Sequence, residues 1–259
     1  MQGIRQIDAG CVHRICSGQV VTDLTTAVKE LVENSIDAGA TLVEINLKEY
    51  GTVSIEVSDN GTGVHADHFQ ALTRKHWTSK LSTFEDLEQV DTLGFRGEAL
   101  SSLCALGNLR VVTRTADSAV GTALEYDHDG ELTRTSPQAR TQGTTVTVEN
   151  LFCTLPVRQK AFARAAKSEY ARLLPVLQSY ALAHPLVKLR LTHHGKSGRD
   201  TVFSTPGSLP PALLASPPSP ASGRQSAHTH ASAGLDARAL EEPLRALFGA
   251  KELAKLEFV

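Results

Sequence analysis

Little in this chain ties it to a membrane, to an oxidising compartment or, taken whole, to a polyanion. Nowhere do about eighteen apolar residues run together, and no charged opening precedes an apolar stretch, so neither a membrane span nor a secretory leader is expected. Charge of one sign is missing as well: 26 Lys and Arg stand against 28 Asp and Glu, so any contact with nucleic acid has to be local. The only cysteines are Cys11, Cys16, Cys104 and Cys153, with no C-x-x-C pair. In a reducing compartment they make no disulfide framework, and Cys11, His13 and Cys16 lack the second ligand pair that a zinc cluster normally has. What the chain does have is 41% hydrophobic residues, enough for a sizeable core in one large domain or two small ones. An intracellular, soluble globular protein is the expectation.

Hydrophobic periodicity orders the chain. Residues 22–38 read as a long helix stopped by Gly39, TLVEINLKE alternates as a strand, and SIEVSD follows as a second strand across a turn at Tyr50–Gly51. A loop and a helical stretch near 65–76 lead to LGFRGEALSSLCALG, whose second half reads as a helix. Strands are expected in NLRVVTRT, in GTALEYDHDG with its turn at Asp129–Gly130, and in GTTVTVENLF. Residues 158–182 form a second long helix ending before His184–Pro185, and VKLRLTHHG alternates again. Hairpins mixed with long helices predict an α/β sandwich with a largely antiparallel sheet. The main domain would occupy residues 1–203. At 204–234 Pro, Ser and Ala dominate, and so few bulky apolar groups cannot offset the ordering entropy, so a disordered loop is expected there. His193, His194, His228 and His230 fall in or near such loops and read as solvated surface. A helix at 235–259 follows, and the chain reads as cut before a further domain.

The first long helix carries KELVENSIDAGA. At about 100° per residue, Leu24, Val28, Leu31, Val32 and Ile36 share one half, and Glu30, Glu33, Asn34 and Asp37 the other. A solvated face is the simplest account, but Glu33 and Asp37 are like charges one turn apart, and cations look too few to balance them. Glu30 stacks a carboxylate one turn from the amide carbonyl of Asn34, hard oxygens of the kind Mg²⁺ prefers beside water and phosphate. Further on, VSDNGTGV leaves a strand at Asp59 and turns through Gly61 and Gly63, where missing side chains let backbone approach a ligand. LGFRGEAL then sets Gly94 and Gly97 just ahead of a helix, whose free N–H groups make an anion site. In that order, the three stretches describe a nucleotide with Mg²⁺.

These residues resemble the GHKL ATPases: gyrases, the ninety-kilodalton heat-shock chaperones, histidine kinases and MutL mismatch-repair proteins. Within that group KELVENSIDAGA, TSK at 78–80 and GFRGEAL at 94–100 are similar to MutL, and ICSGQVV and SSLCALG to its eukaryotic post-meiotic-segregation type, with Gln19 in place of the usual Glu. The resemblance runs from Ile7 to about Leu191. It implies a GHKL (Bergerat) sandwich, a mixed and mostly antiparallel sheet covered on one face by helices. It also implies ATP and Mg²⁺ as cofactors, Glu30 as the base that orients and deprotonates the attacking water, and Asn34 as the metal ligand. Asp59 would accept from the adenine amino group in a pocket shaped by Gly61 and Gly63, with Thr144 lining the adenine side. Thr78, Ser79 and Lys80 would lie beside the phosphates, and Gly94, Phe95, Arg96 and Gly97 would form the lid over them. Glu98 could serve the site or the helix dipole. Glu33 receives no role, and Asp37 is expected in structural hydrogen bonding.

On the second long helix Lys160, Arg164 and Lys167 form a stripe opposite Phe162, Tyr170, Leu173 and Leu177, with Arg158 at its start. The resemblance implies weak, sequence-independent DNA binding along such a stripe, with phosphate contacts that fade with salt. It further implies a nuclear protein, a second MutL-family subunit as heterodimer partner, MutS-type mismatch-recognition proteins as associates, and an arm at residues 1–21 that helps ATP-bound domains pair. Trp77 is expected to pack near the site. Slow ATP hydrolysis that gates dimerisation and DNA clamping is the first functional expectation. A nonhydrolytic ATP-switched module for DNA or partner binding is the alternative, and a scaffold with a vestigial pocket a third.

Overall fold

The computed structural model describes residues 7–78, 80, 92–94, 96–196 and 198–207. Ser79 and Phe95, the expected loop beyond residue 207 and the expected helix at 235–259 lie outside the described residues.

Four helices and eight strands follow one another among the described residues. Helix α1 (Ala9–Val20) begins where the Asp8 carboxylate accepts from the Cys11 amide at 3.1 Å. Helix α2 (Leu24–Asp37) is capped more strongly: Asp23 accepts from both the amide of Thr26, at 2.7 Å, and its hydroxyl, at 2.9 Å. Such a cap contributes about 1 kcal/mol. The helix stops where Gly39 takes φ +72°, left-handed backbone that suits glycine. Its apolar stripe, Leu24, Ala27, Val28, Leu31 and Val32, is buried against strands β1 (Leu42–Lys48) and β2 (Ser54–Asp59). In β1 the alternation puts Val43, Ile45 and Leu47 in the core while Glu44 and Asn46 face the open side. Truncating Leu24 to Ala would cost about 2–5 kcal/mol, as for other fully buried leucines. The β1–β2 turn runs through Glu49, Tyr50 and Gly51, all at positive φ, and a Cβ on Gly51 would lie 2.6 Å from Leu24 Cδ1.

Helix α3 (Ala99–Leu106) leads into the meander β3 (Asn108–Arg114), β4 (Gly121–Tyr126), β5 (Leu132–Gln138) and β6 (Gly143–Glu149). Helix α4 (Pro156–Ala183) then leads to β7 (Lys188–Gly195) and β8 (Gly198–Ser204). The strands form one sheet in the order β5-β4-β3-β6-β2-β1-β7-β8. Every pairing is antiparallel except β1 with β7, where α4 supplies the crossover that parallel strands require. The sandwich expected from the sequence is therefore the one that forms, with α2 and α3 on one face of the sheet, α4 against α2 and α1 against α3.

The differences from expectation fall at the margins. Strands β5 and β8 were not legible, being edge strands whose residues are mostly exposed; β5 even carries Pro137, tolerated at an edge because no neighbour needs its N–H. The helical stretch near 65–76 is two 3₁₀ turns, Ala66–His68 and Ala71–Thr73. Residues 9–20 are helical, where the sequence showed only an arm. His193 is not loop surface: it lies in β7, its ring 4.3 Å from that of Tyr50, and Nε2 accepts from the Tyr50 amide at 3.2 Å.

Candidate nucleotide site

A cavity of about 1260 Å³ opens beside α2, whose Lys29, Glu30, Glu33 and Asn34 form one wall. Thr62 and Gly63 after β2 line it, as do Thr78, Lys80, Gly94, Arg96, Gly97 and Glu98, and Gln19 of α1. Asp59, Gly61 and Thr144 are not among its lining residues; they form a hydrogen-bonded cluster at the end of β2.

That cluster is built from backbone. The Asp59 carboxylate, 9% exposed, accepts from the Gly61 amide at 2.9 Å, the Thr144 amide at 3.0 Å and the Ser35 hydroxyl at 3.0 Å. Burial pushes its pKa above the ordinary aspartate value, against the pull of these donors and of Arg140. Arg140 clasps the same corner, donating to the carbonyls of Asp59 at 2.6 Å and Gly143 at 3.1 Å. Side chains are excluded from the turn: a Cβ on Gly61 would sit 2.7 Å from the Ala38 carbonyl oxygen, and one on Gly63, at φ +75°, 2.2 Å from that of Arg114. Thr113 joins by donating or accepting across to Thr144 Oγ1 at 3.1 Å.

The opposite part of the site is built from ion pairs. Lys80 Nζ lies 2.5 Å from Asp37 Oδ2 and donates to Asn34 Oδ1 at 3.2 Å. Asp37 also accepts from the amides of Leu93 at 2.9 Å and Gly94 at 3.0 Å, which is the structural hydrogen bonding foreseen for it. Burial acts to raise its pKa, but the Lys80 hydrogen bond, those two amides and the Lys80 charge together hold it below the ordinary value. One turn back, Lys29 Nζ donates to Glu33 Oε2 at 2.8 Å and stands 3.6 Å from Glu30 Oε1, while the Tyr180 hydroxyl of α4 donates to Glu33 Oε1. The shortage of cations inferred from the sequence is thereby corrected: Glu33 and Asp37 each have their own lysine, one from the same helix and one from a distant segment.

Two further expectations change, those for Trp77 and Arg158, while Glu98 keeps a place both on the cavity wall and at the start of α3. Trp77 does not pack its ring, which is 63% exposed; its backbone does the packing, since a Cβ on Gly97 at φ +62° would lie 2.5 Å from the Trp77 carbonyl oxygen. Glu98 is the N-cap residue of α3 without a capping side-chain bond, and stands 3.5 Å from His76 Nδ1. Arg158 leaves the basic stripe: its guanidinium donates to the carbonyls of Gly18 and Thr22 and sits 4.5 Å above the Phe152 ring, tying the end of α1 to α4. Lys160, Arg164 and Lys167 are exposed on α4. Sequence reasoning missed Ser35, Arg140 and Tyr180. A hydroxyl at position 35, one turn after Leu31 on the apolar side of α2, was a legible signal; nothing marked the other two.

A mixed sheet carrying α2 on one face, with a polar helix wall opening on a large cavity and a strand-end aspartate before a glycine turn, defines the ATP-binding GHKL class. The family described as histidine kinase-, DNA gyrase B- and HSP90-like ATPase matches residues 21–149. The mismatch repair endonuclease PMS2 of Mus musculus is 52% identical over 208 residues, 80% of this chain and 24% of that protein. The DNA mismatch repair protein PMS1 of Arabidopsis thaliana is 53% identical over 205 residues, 79% of this chain and 22% of that protein. Among solved structures, the N-terminal domain of a DNA repair protein superposes with a TM-score of 0.74 at 39% identity, covering 96% of this chain and 63% of that one. The Aquifex aeolicus MutL ATPase domain complexed with ADP gives 0.55 at 31% identity, covering 73% and 65%. The chain belongs to the MutL family, as an N-terminal ATPase domain of the post-meiotic-segregation type. It spans about a quarter of the length of the curated relatives it matches.

Proposed function

We propose that this chain binds ATP with Mg²⁺ in the α2 cavity and hydrolyses it slowly, ATP binding serving to gate pairing of N-terminal domains and grip on DNA. The observation that carries this reading is that Glu30 and Asn34 share the cavity wall, with the Asn34 carbonyl oxygen already turned to a cation, the Lys80 ammonium. The site fits a metal in that respect: Asn34 would hold Mg²⁺, which when bound supplies charge neutralisation to the phosphates. Glu30 takes the proton of the attacking water as its oxygen bonds to the γ-phosphorus and the bond to the ADP oxygen breaks. Asp59 would read the adenine amino group from the end of β2, with Gly61 and Thr144 fixing its orientation. Thr78, Lys80, Gly94, Arg96 and Gly97 would face the phosphates. The ADP bound in the Aquifex relative supports a nucleotide here.

The relatives' names in mismatch repair support a second MutL-family subunit as partner, MutS-type associates and a nuclear setting. Exposed Lys160, Arg164 and Lys167 would make weak contacts with DNA phosphates. The test is ATP turnover with Mg²⁺ by the parent chain and by Glu30→Ala. Parent turnover above the variant's is expected; equal rates with intact binding would leave the nonhydrolytic switch as the function. Asn34→Ala should abolish Mg²⁺-dependent binding, and undiminished binding would remove Asn34 from the metal.

A further inference from the structure

Glu33 is engaged on two sides. Oε1 accepts from the Tyr180 hydroxyl and Oε2 from Lys29 Nζ at 2.8 Å. The same ammonium stands 3.6 Å from Glu30 Oε1, outside hydrogen-bond reach. Lys29 therefore has two carboxylates within range and takes the buried one: the Glu33 side chain is 8% exposed and that of Glu30 28%. Burial works against the Lys29 charge, but the Glu33 hydrogen bond and both carboxylates outweigh it and raise its pKa. The Tyr180 hydroxyl is pushed well above its ordinary value by burial first and then by Glu33, so it stays protonated and keeps Glu33 in place as an acceptor. Of the other charged groups and histidines on the cavity wall, Lys80 is held by Asp37 and Asn34, Arg96 and Glu98 belong to the turn before α3, and His65, His68 and Asp117 come from segments outside α2.

An ammonium hydrogen-bonded to a carboxylate lowers its affinity for protons, and with it its strength as a base. We propose that Glu33, set by Tyr180, is a positioning residue that holds Lys29 off Glu30 and so keeps the Glu30 carboxylate open to take a proton from water. This rests on the hydrolytic reading of Glu30 given above. Without Glu33, Lys29 turns to Glu30, the one other carboxylate it contacts among the described residues.

The test uses the full chain with Glu33→Gln, Lys29→Met and both together. Glutamine keeps the volume and an acceptor for Tyr180, and turns an amide toward Lys29. In Glu33→Gln, Lys29 Nζ should come within hydrogen-bond distance of a Glu30 carboxylate oxygen in a crystal structure of the variant, where the parent holds the two 3.6 Å apart. In turnover, Glu33→Gln should lower kcat about three- to tenfold with KM for ATP unchanged and move the acid limb of the profile to lower pH. The double variant should be faster than Glu33→Gln alone, which a merely structural role does not predict. A Lys29 ammonium still outside hydrogen-bond reach of Glu30 in Glu33→Gln, or a double variant no faster than the single, overturns the proposal. If the parent turns over ATP no faster than Glu30→Ala, the hydrolytic reading fails, and the position of Lys29 in Glu33→Gln alone then decides the role of Glu33.

Discussion

The two aspartates of the site differ in what satisfies them. Asp59 meets two backbone amides, from the Gly61 turn and from Thr144 beside Gly143 where Arg140 clasps, and the Ser35 hydroxyl of α2. Asp37 meets a lysine side chain together with the amides of Leu93 and Gly94. Burial wins at the first and raises its pKa; the cation and amides win at the second and lower it. One end of the site is thus built by the fold before any ligand arrives. The other is built around a lysine side chain that reaches Asp37 from a distant segment.

The sharpest way to break this comparison is to remove each carboxylate's partners. Asp59→Ala would strand the Gly61 and Thr144 amides beside a clasped arginine, and should cost about 3 kcal/mol in urea unfolding. Asp59→Asn keeps an acceptor for both amides and should cost about 1 kcal/mol. A cost for Asp59→Ala no larger than for Asp59→Asn would mean that the cluster is not held by that carboxylate. Lys80→Met comes next, at about 1–2 kcal/mol, because Asp37 loses its cation but keeps two amides.

The pH dependence of the two should run in opposite directions. Asp37 has a folded pKa below its ordinary 3.8, so the unfolded chain binds more protons, and its contribution is present above 3.8 and lost as pH falls below that through the folded pKa. Asp59 has a folded pKa above 3.8, so its contribution is present below that value and lost as pH rises through the folded one. Unfolding free energies from pH 3 to 7 should therefore show the gap between parent and Asp37→Asn shrinking toward acid, and that between parent and Asp59→Asn growing in favour of the parent. Parallel curves would show that neither shift is real.

How much of this was legible follows from where the information sits. The α2 stripe, the β1 and β2 alternation and the glycine turns are local patterns, and Leu24 through Asp59 were readable to within a residue or two. The resemblance named the cavity residues, eight of which the fold brings to one cavity, Glu30, Asn34, Gly63, Thr78, Lys80, Gly94, Arg96 and Gly97. Lys80 on Asp37, Tyr180 on Glu33 and Arg140 on Asp59 were not readable, because each joins positions 43, 147 and 81 apart in the chain through a side chain with no periodic signature. Edge strands β5 and β8 were missed for a related reason: with little to bury, they have little alternation to show.

The smallest expected effects separate the basic residues of α4 into two kinds. Arg158→Met removes donors from the Gly18 and Thr22 carbonyls and should destabilise the chain by about 1–2 kcal/mol, since a half-buried guanidinium joins α1 to α4 there. Lys160→Ala and Arg164→Ala, exposed on the same helix, should stay within about 0.5 kcal/mol of the parent. DNA affinity measured against salt should reverse that order. Each exposed cation that meets a phosphate adds about one counterion to the slope, so Lys160→Ala and Arg164→Ala should each flatten it by about one, and Arg158→Met should not. A slope unchanged by the exposed pair would take DNA off this face of α4, while the role of Arg158 in the fold would stand on its unfolding data alone.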